Sequence, residues 1–282
     1  MAITVADLTP EQFLKIAGPW LEQDEARNNS ILGTAVNIAP KPLDQRPEHH
    51  FWVVKKDKAV AGAAFWTPPY KLSLTSMEPE ALAALAKKIK KSFPDIPGVY
   101  GPQEIMPSFL RAWNAPGIQA VLEMSVRLYQ LERVEPVPPA PGSLRLARPG
   151  DLDLLTQWCV QFRQEIQASE KIDERELVEA YIREGRLYLW GQESCQAMAG
   201  TAGATTHGTR INMVFTPRSF RKRGYASNLV AALSQRILDS GKKFCVLYTD
   251  LMNPTSNHIY LKVGYKPLCD WDGYVFQEFT SL

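Results

Sequence analysis

The sequence predicts a mixed α/β protein, a sheet with helices on both faces, arranged as two halves in tandem. Three observations carry this. A hydrophobic fraction of 45% in 282 residues supplies cores for two domains of ordinary size. Strand and helix patterns alternate through the second half, which calls for a mixed sheet covered on both sides. The first half repeats a similar order more faintly.

In the second half, residues 143–147 read as a short strand. Residues 149–167 read as a helix, with Leu152, Leu155, Trp158, Cys159 and Phe162 at helical spacing. A second helix is expected over 173–184. Residues 186–190 and 196–205 alternate as strands, and the turn Thr206-His207-Gly208-Thr209 leads into 210–216, the best strand candidate. A helix is expected from about Gly224 to Ser240, with Tyr225, Leu229, Leu233 and Ile237 on one face and Gly241 where a stop belongs. The compact apolar run 244–249 suits a strand covered on both faces. Asn253-Pro254 opens a further helix, because Asn caps well and Pro is preorganised for a first turn. Residues 274–279 are expected as the last strand.

In the first half, residues 51–66 read as a hairpin turning at Lys56-Asp57-Lys58, residues 78–91 as a helix, and 98–100 and 121–131 as strands. The run F-W-T-P at 65–68 echoes V-F-T-P at 214–217, which points to an internal duplication. Between the halves lies E-P-V-P-P-A-P-G at 135–142, a stiff extended stretch that joins neither a helix nor a central strand. The expected domains are therefore 1–134 and 143–282, with 135–142 as linker.

Lys plus Arg number 32 against 30 for Asp plus Glu, so a net charge of +2 offers no broad footprint for nucleic acid. The first residues lack a positive n-region followed by an apolar one, so no signal peptide is expected. No apolar run is long enough to span a bilayer. The four cysteines, Cys159, Cys195, Cys245 and Cys269, are far apart, which speaks against a disulfide framework and a zinc site. Reduced thiols in a cytoplasmic protein are expected.

Between the strand at 210–216 and the following helix lies P-R-S-F-R-K-R-G-Y-A, residues 217–226. A strand, a basic loop with glycine and a helix start make an anion site, because the helix N-terminus carries unpaired N–H groups and the positive end of the dipole. Gly224 and Ala226 are small enough for a phosphate to approach the main chain. Arg221, Lys222 and Arg223 add positive charge. On charge alone, a solvated loop is the plainer account. Dinucleotide GxGxxG and P-loop GxxxxGK[ST] patterns are both missing.

The segment resembles motif A of the GNAT (GCN5-related N-acetyltransferase) superfamily, [Q/R]-x-x-G-x-[G/A], with Arg221, Gly224 and Ala226 at its three defined positions. The resemblance implies a mostly antiparallel GNAT sheet. It also implies that the loop amides, Tyr225 included, cradle the coenzyme A pyrophosphate, while the backbone of Val214, Phe215 and Thr216 bonds the pantetheine arm. Lys222 stands where many members have Gly. Residues 250–265, D-L-M-N-P-T-S-N-H-I-Y-L-K-V-G-Y, resemble motif B. Asn253 and Tyr260 lie two helical turns apart on one face, with Ser256 and Asn257 between them. The resemblance assigns Asn253 to the pantetheine arm and makes Tyr260 the general acid for the departing thiolate. Asn253 as a plain cap and Tyr260 as a core residue are the alternatives.

What the resemblance implies is direct transfer of acetyl from acetyl-CoA, without a metal, to an amine of a small molecule or peptide. A backbone N–H near Val214 would polarise the carbonyl, and positioning supplies much of the catalysis. Strand 210–216 carries no carboxylate. Glu165, Asp250 and His207 are base candidates by rough position, and none is assigned. The first half has no motif A segment before its helix, which would leave it a degenerate GNAT-like domain serving packing, acceptor binding or dimerisation. The expected assembly is a monomer or homodimer, with no membrane or nucleic-acid partner. The competing function is a non-catalytic acyl-CoA sensor.

Overall fold

The computed structural model describes residues 2–192 and 194–278. Contacts group the chain into two units. Unit 1 takes the chain up to Leu128, Asp250–Met252 and the chain from Cys269. Unit 2 takes Tyr129–Thr249 and Asn253–Leu268.

Unit 1 runs β1 (Ile3–Leu8), α1 (Pro10–Leu21), α2 (Asn29–Ile38), β2 (His50–Lys56), β3 (Ala59–Trp66), β4 (Leu72–Leu74), α3 (Pro79–Ser92), β5 (Gly98–Pro102), α4 (Met106–Trp113) and β6 (Ile118–Leu131), the last as far as Leu128. Strands β1 to β4 pair antiparallel in sequence order, and β4 is parallel to β5. The final strand, β12 (Lys266–Glu278), is antiparallel to β5, with Trp271 opposite Pro102. The strand alternation sorts side chains to two cores. Phe51, Val53 and Ala63 face α1 and α2, while Trp52, Val54 and Ala64 face α3 and α4.

Unit 2 runs β7 (Ser143–Leu146), α5 (Leu152–Glu165), α6 (Glu174–Arg183), β8 (Leu187–Gly191), β9 (Cys195–Ala202), β10 (Gly208–Phe215), α7 (Tyr225–Asp239), β11 (Phe244–Asp250, through Thr249 in this unit) and α8 (Pro254–Val263). Its strands lie in the order β7, β8, β9, β10, β11, antiparallel except for parallel β10 and β11. Leu187, Leu189 and Met198 pack with α5 and α6. Tyr188, Trp190, Ala197 and Ala199 pack with α7 and α8.

The order β-α-α-β-β-β-α-β-α-β occurs twice, from β1 to β6 and from β7 to β12. That repetition is the duplication the sequence suggested, but the echo F-W-T-P is no trace of it. Trp66 ends β3, whose counterpart is β9, whereas Phe215 ends β10, whose counterpart is β4.

Several elements escape the sequence patterns. Helix α1 carries Gly18-Pro19 inside it and is held instead by a Thr9/Gln12 capping box. Helix α2, N-S-I-L-G-T-A-V-N-I, has no charged residue and so shows little polar face. The last strand starts at Lys266 rather than 274, and the expected end at Phe279 lies outside the described residues. Among the described residues no helix is long and apolar enough to cross a membrane.

Candidate active site

Strands β10 and β11 pair only at their beginnings. Gly208, Thr209 and Arg210 face Phe244, Cys245 and Val246, and the pairing ends there. On its other edge β10 keeps its ladder with β9 but shifts register between Asn212 and Phe215. Met213, at φ 50°, forms this bulge. A bulge turns the strand and takes residues out of the ladder. The main chain of Val214 therefore stands beside an opening between two parallel strands. Val214 leans on the α7/α8 core and Phe215 on the α5/α6 core. At the end of β10 the buried Thr216 hydroxyl has no hydrogen-bond partner, nor has the Asn212 Oδ1.

The loop from Thr216 leads to α7 through two left-handed residues, Lys222 at φ 62° and Gly224 at φ 81°. Gly224 is the N-cap and supplies no side-chain acceptor. The first helical bond runs from Asn228 N–H to Gly224 C=O at 3.0 Å, so the N–H groups of Tyr225, Ala226 and Ser227 have no acceptor within the helix. An added Cβ on Gly224 would meet Ala140 at 3.5 Å and Asn228 at 3.6 Å. Its backbone conformation, not lack of space, is what calls for glycine. Arg221, Lys222 and Arg223 are exposed.

The Arg221 guanidinium is engaged elsewhere. Its Nη2 lies 2.6 Å from each carboxylate oxygen of Glu165, and its Nε donates to the Thr216 carbonyl at 2.8 Å. Glu165 also pairs with Arg218 at 3.6 Å. Arg221 thus braces the loop against the end of α5, with Glu165 paired to two guanidinium groups.

On the other side of the opening, Asn253 caps α8, its Oδ1 accepting the Ser256 N–H at 3.0 Å. The capping account of Asn253 therefore stands, and the exposed amide nitrogen is left to donate outward. Ser256 is half-buried beyond it. Tyr260 is 6% exposed, on the α8 face that meets the core. Its ring lies between those of Tyr129 and Tyr265, centroids 6.4 and 6.0 Å away. Burial pushes the Tyr260 phenol well above its ordinary pKa of 10. The raised pKa favours the neutral, protonated phenol.

The remaining base candidates are placed by local structure. His207 sits at the opposite end of β10, its carbonyl accepting the N–H groups of Lys243 and Phe244. Asp250 accepts the Met252 N–H at 2.8 Å, the turn-capping role.

Three features were not read from the sequence. Asn228, 9% exposed, donates to Pro138 C=O and Gly224 C=O at 2.9 Å each and accepts the Ala140 N–H at 3.3 Å. It ties the Pro-rich stretch to the first turn of α7. That stretch forms neither helix nor strand, as expected, but it is pinned on three sides. Glu135 N–H reaches Val263 C=O at 2.8 Å, and Trp190 Nε1 donates to Pro141 C=O at 3.0 Å. Tyr129 donates to Asn257 Oδ1 at 2.9 Å and so fixes the first turn of α8. Asn212 donates to Tyr181 Oη at 2.9 Å across Gly200, where a Cβ would stand 2.6 Å from Asn212 and 2.9 Å from Tyr181. All four cysteines are free thiols.

The comparisons fit this geometry. Residues 191–272 match the family model of FR47-like proteins. No curated protein matches the chain. A protein of Drosophila of known structure is similar over 97% of this chain and 99% of its own, with 12% identity and a TM-score of 0.71. A GCN5-related N-acetyltransferase from Sphaerobacter thermophilus shares 16% identity over 98% of this chain and 95% of its own, at a TM-score of 0.62. A tandem GNAT protein from the clavulanic acid biosynthesis pathway, solved without AcCoA, is similar over 99% of this chain and 100% of its own, with 14% identity and a TM-score of 0.57. The chain thus has the fold of the GNAT acetyltransferases along its length, and the match to the FR47-like family model falls within its second half.

Proposed function

We propose that unit 2 transfers acetyl from acetyl-CoA directly to an amine of a small molecule or peptide. The observation that carries this reading is the opening between β10 and β11, which runs toward a helix start whose N–H groups have no internal acceptor. The unpartnered Thr216 hydroxyl at its rim fits an elongated polar ligand.

Acetyl-CoA supplies the acyl thioester. The N–H groups of Tyr225 and Ala226, with the loop at Arg221, Lys222, Arg223 and Gly224, bind the diphosphate through the helix N-terminus. Val214, Phe215 and Thr216 align the pantetheine arm along the free edge of β10, and Asn253 with Ser256 borders it from α8. A backbone N–H at Val214 polarises the thioester carbonyl. As the amine nitrogen bonds to the carbonyl carbon and the C–S bond breaks, the Tyr260 phenol gives its proton to the sulfur, and the proton shed by the nitrogen returns through solvent to the phenolate.

The test is release of free thiol from acetyl-CoA across a panel of amines, with wild type and Tyr260→Phe. The proposal expects turnover with at least one amine. In the variant it expects a loss of about 10²-fold or more with acetyl-CoA binding kept. Binding without turnover on any amine would leave an acyl-CoA sensor instead.

A further inference from the structure

Unit 1 repeats the element order of unit 2 but not its phosphate loop. Between β4 and α3 the chain has only Thr75-Ser76-Met77-Glu78, where unit 2 has residues 216–224. Helix α3 opens with Pro79, which has no N–H to offer, and with Glu78 and Glu80, which repel anions. A coenzyme diphosphate has no cradle there.

The position itself is not filled. The ends of β4 and β5 and the connection from α1 to α2 line a partly open cavity of about 160 Å³ within unit 1. Their counterparts in unit 2 are the ends of β10 and β11 and the connection from α5 to α6. The cavity therefore occupies the position in unit 1 equivalent to the ends of β10 and β11 in unit 2. Asp24 and Arg27 reach it from the α1–α2 connection, and Glu104 from the turn after β5. Trp20 and Trp271 line it as well. The three charged side chains line the same cavity. The Cys269 thiol on the cavity wall, raised mainly by burial, is lowered by Arg27 and raised by Glu104 and Asp24. Asp24 and Arg27 already pair at 3.2 Å, and Glu104 accepts from Ser76 at 2.9 Å. Both carboxylates keep lone pairs for another donor.

We infer that this cavity binds a small zwitterion of free amino-acid size. Its ammonium lies between Asp24 and Glu104 against the indole rings, and its carboxylate lies on Arg27. Two carboxylates and two indoles are the chemistry that holds an ammonium. One guanidinium adds the matching site for a carboxylate. A cavity of about 150 Å³ holds a benzene-sized molecule, which sets the ligand at roughly that number of heavy atoms. Unit 1 is then a ligand-sensing copy of the fold that has kept the small-molecule end of the site and lost the nucleotide end.

The inference does not rest on the acyltransfer reading, and its test is run without acetyl-CoA. The full chain is titrated calorimetrically with glycine, alanine, glutamate and lysine, and with methylamine and acetate as single-group controls. The expected result is one saturable site for at least one amino acid, about tenfold or more tighter than either control. Glu104→Gln and Arg27→Met, both at exposed side chains, each weaken it by about tenfold with the melting temperature kept. Gly224→Glu in unit 2 leaves it unchanged. No binding of any amino acid at about 10 mM overturns the inference. So does binding that Gly224→Glu abolishes and Glu104→Gln leaves intact.

Discussion

Arg221 and Glu165 are joined by one guanidinium nitrogen that lies 2.6 Å from both carboxylate oxygens. The pair ties the loop between β10 and α7 to the last residue of α5. The sequence offered Arg221 as a cofactor contact and Glu165 as a base by position. Their pairing adds a brace between the loop and α5. With side chains 40% and 33% exposed, solvent screens the pair, and it contributes at most about 1 kcal/mol to stability.

Glu165→Gln should therefore leave turnover within about tenfold and shift stability by no more than about 1 kcal/mol. Steady-state kinetics and a denaturant melt check both. A loss of about 10²-fold or more in kcat would restore Glu165 as the base.

Tyr260 ties pH to stability. Its phenol is held protonated by burial, with a folded-state pKa above the ordinary 10. A group raised on folding gives stability that is whole below its unfolded pKa and is lost as pH rises toward the folded one. Thermal stability should thus fall as pH rises above about 10. Tyr265, also raised by burial, adds to the fall. In Tyr260→Phe the decline should be shallower, and an unchanged slope would contradict the assignment.

Asn228→Ala removes the amide that holds Pro138, Ala140 and Gly224. Leaving a buried donor and acceptor unpaired costs about 1–3 kcal/mol. The expected change is a loss of that size in a denaturant melt, together with weaker acetyl-CoA binding in calorimetry. Loss of stability with unchanged affinity would show that the Pro-rich stretch does not position the start of α7.

Lys222 adopts φ 62°, a left-handed conformation that costs an L-residue about 1 kcal/mol. Lys222→Gly should be neutral or stabilising by up to about 1 kcal/mol. Lys222→Val, with a branched Cβ in that conformation, should destabilise by about 1–3 kcal/mol. Chemical denaturation of the pair measures the difference, and equal stabilities would mean that the loop relaxes out of this conformation.

What the sequence disclosed followed contiguity. Arg221, Gly224 and Ala226 sit within six residues of one another, and the strand before them and the helix after them carry strong apolar periods, so the alternation and the loop were both readable. The fold class was readable from the same alternation. Asn228 was not, because its partners Pro138 and Ala140 lie 90 and 88 residues away. Nor was the bulge at Met213, since nothing in I-N-M-V-F marks a positive φ at methionine. Helix α2 hid behind a composition with no charged residue. The short segment between β4 and α3 carries no sequence signal of its own, because its significance lies in its equivalence to residues 216–224 in the repeated element order.

Calorimetric titration of the full chain with acetyl-CoA, alongside Gly224→Glu, tests the central claim most directly. The account predicts one saturable micromolar site in the wild type and its loss in a variant that is still folded by circular dichroism. Absence of binding to the folded wild type, or binding that Gly224→Glu leaves untouched, would contradict a cofactor site on this loop.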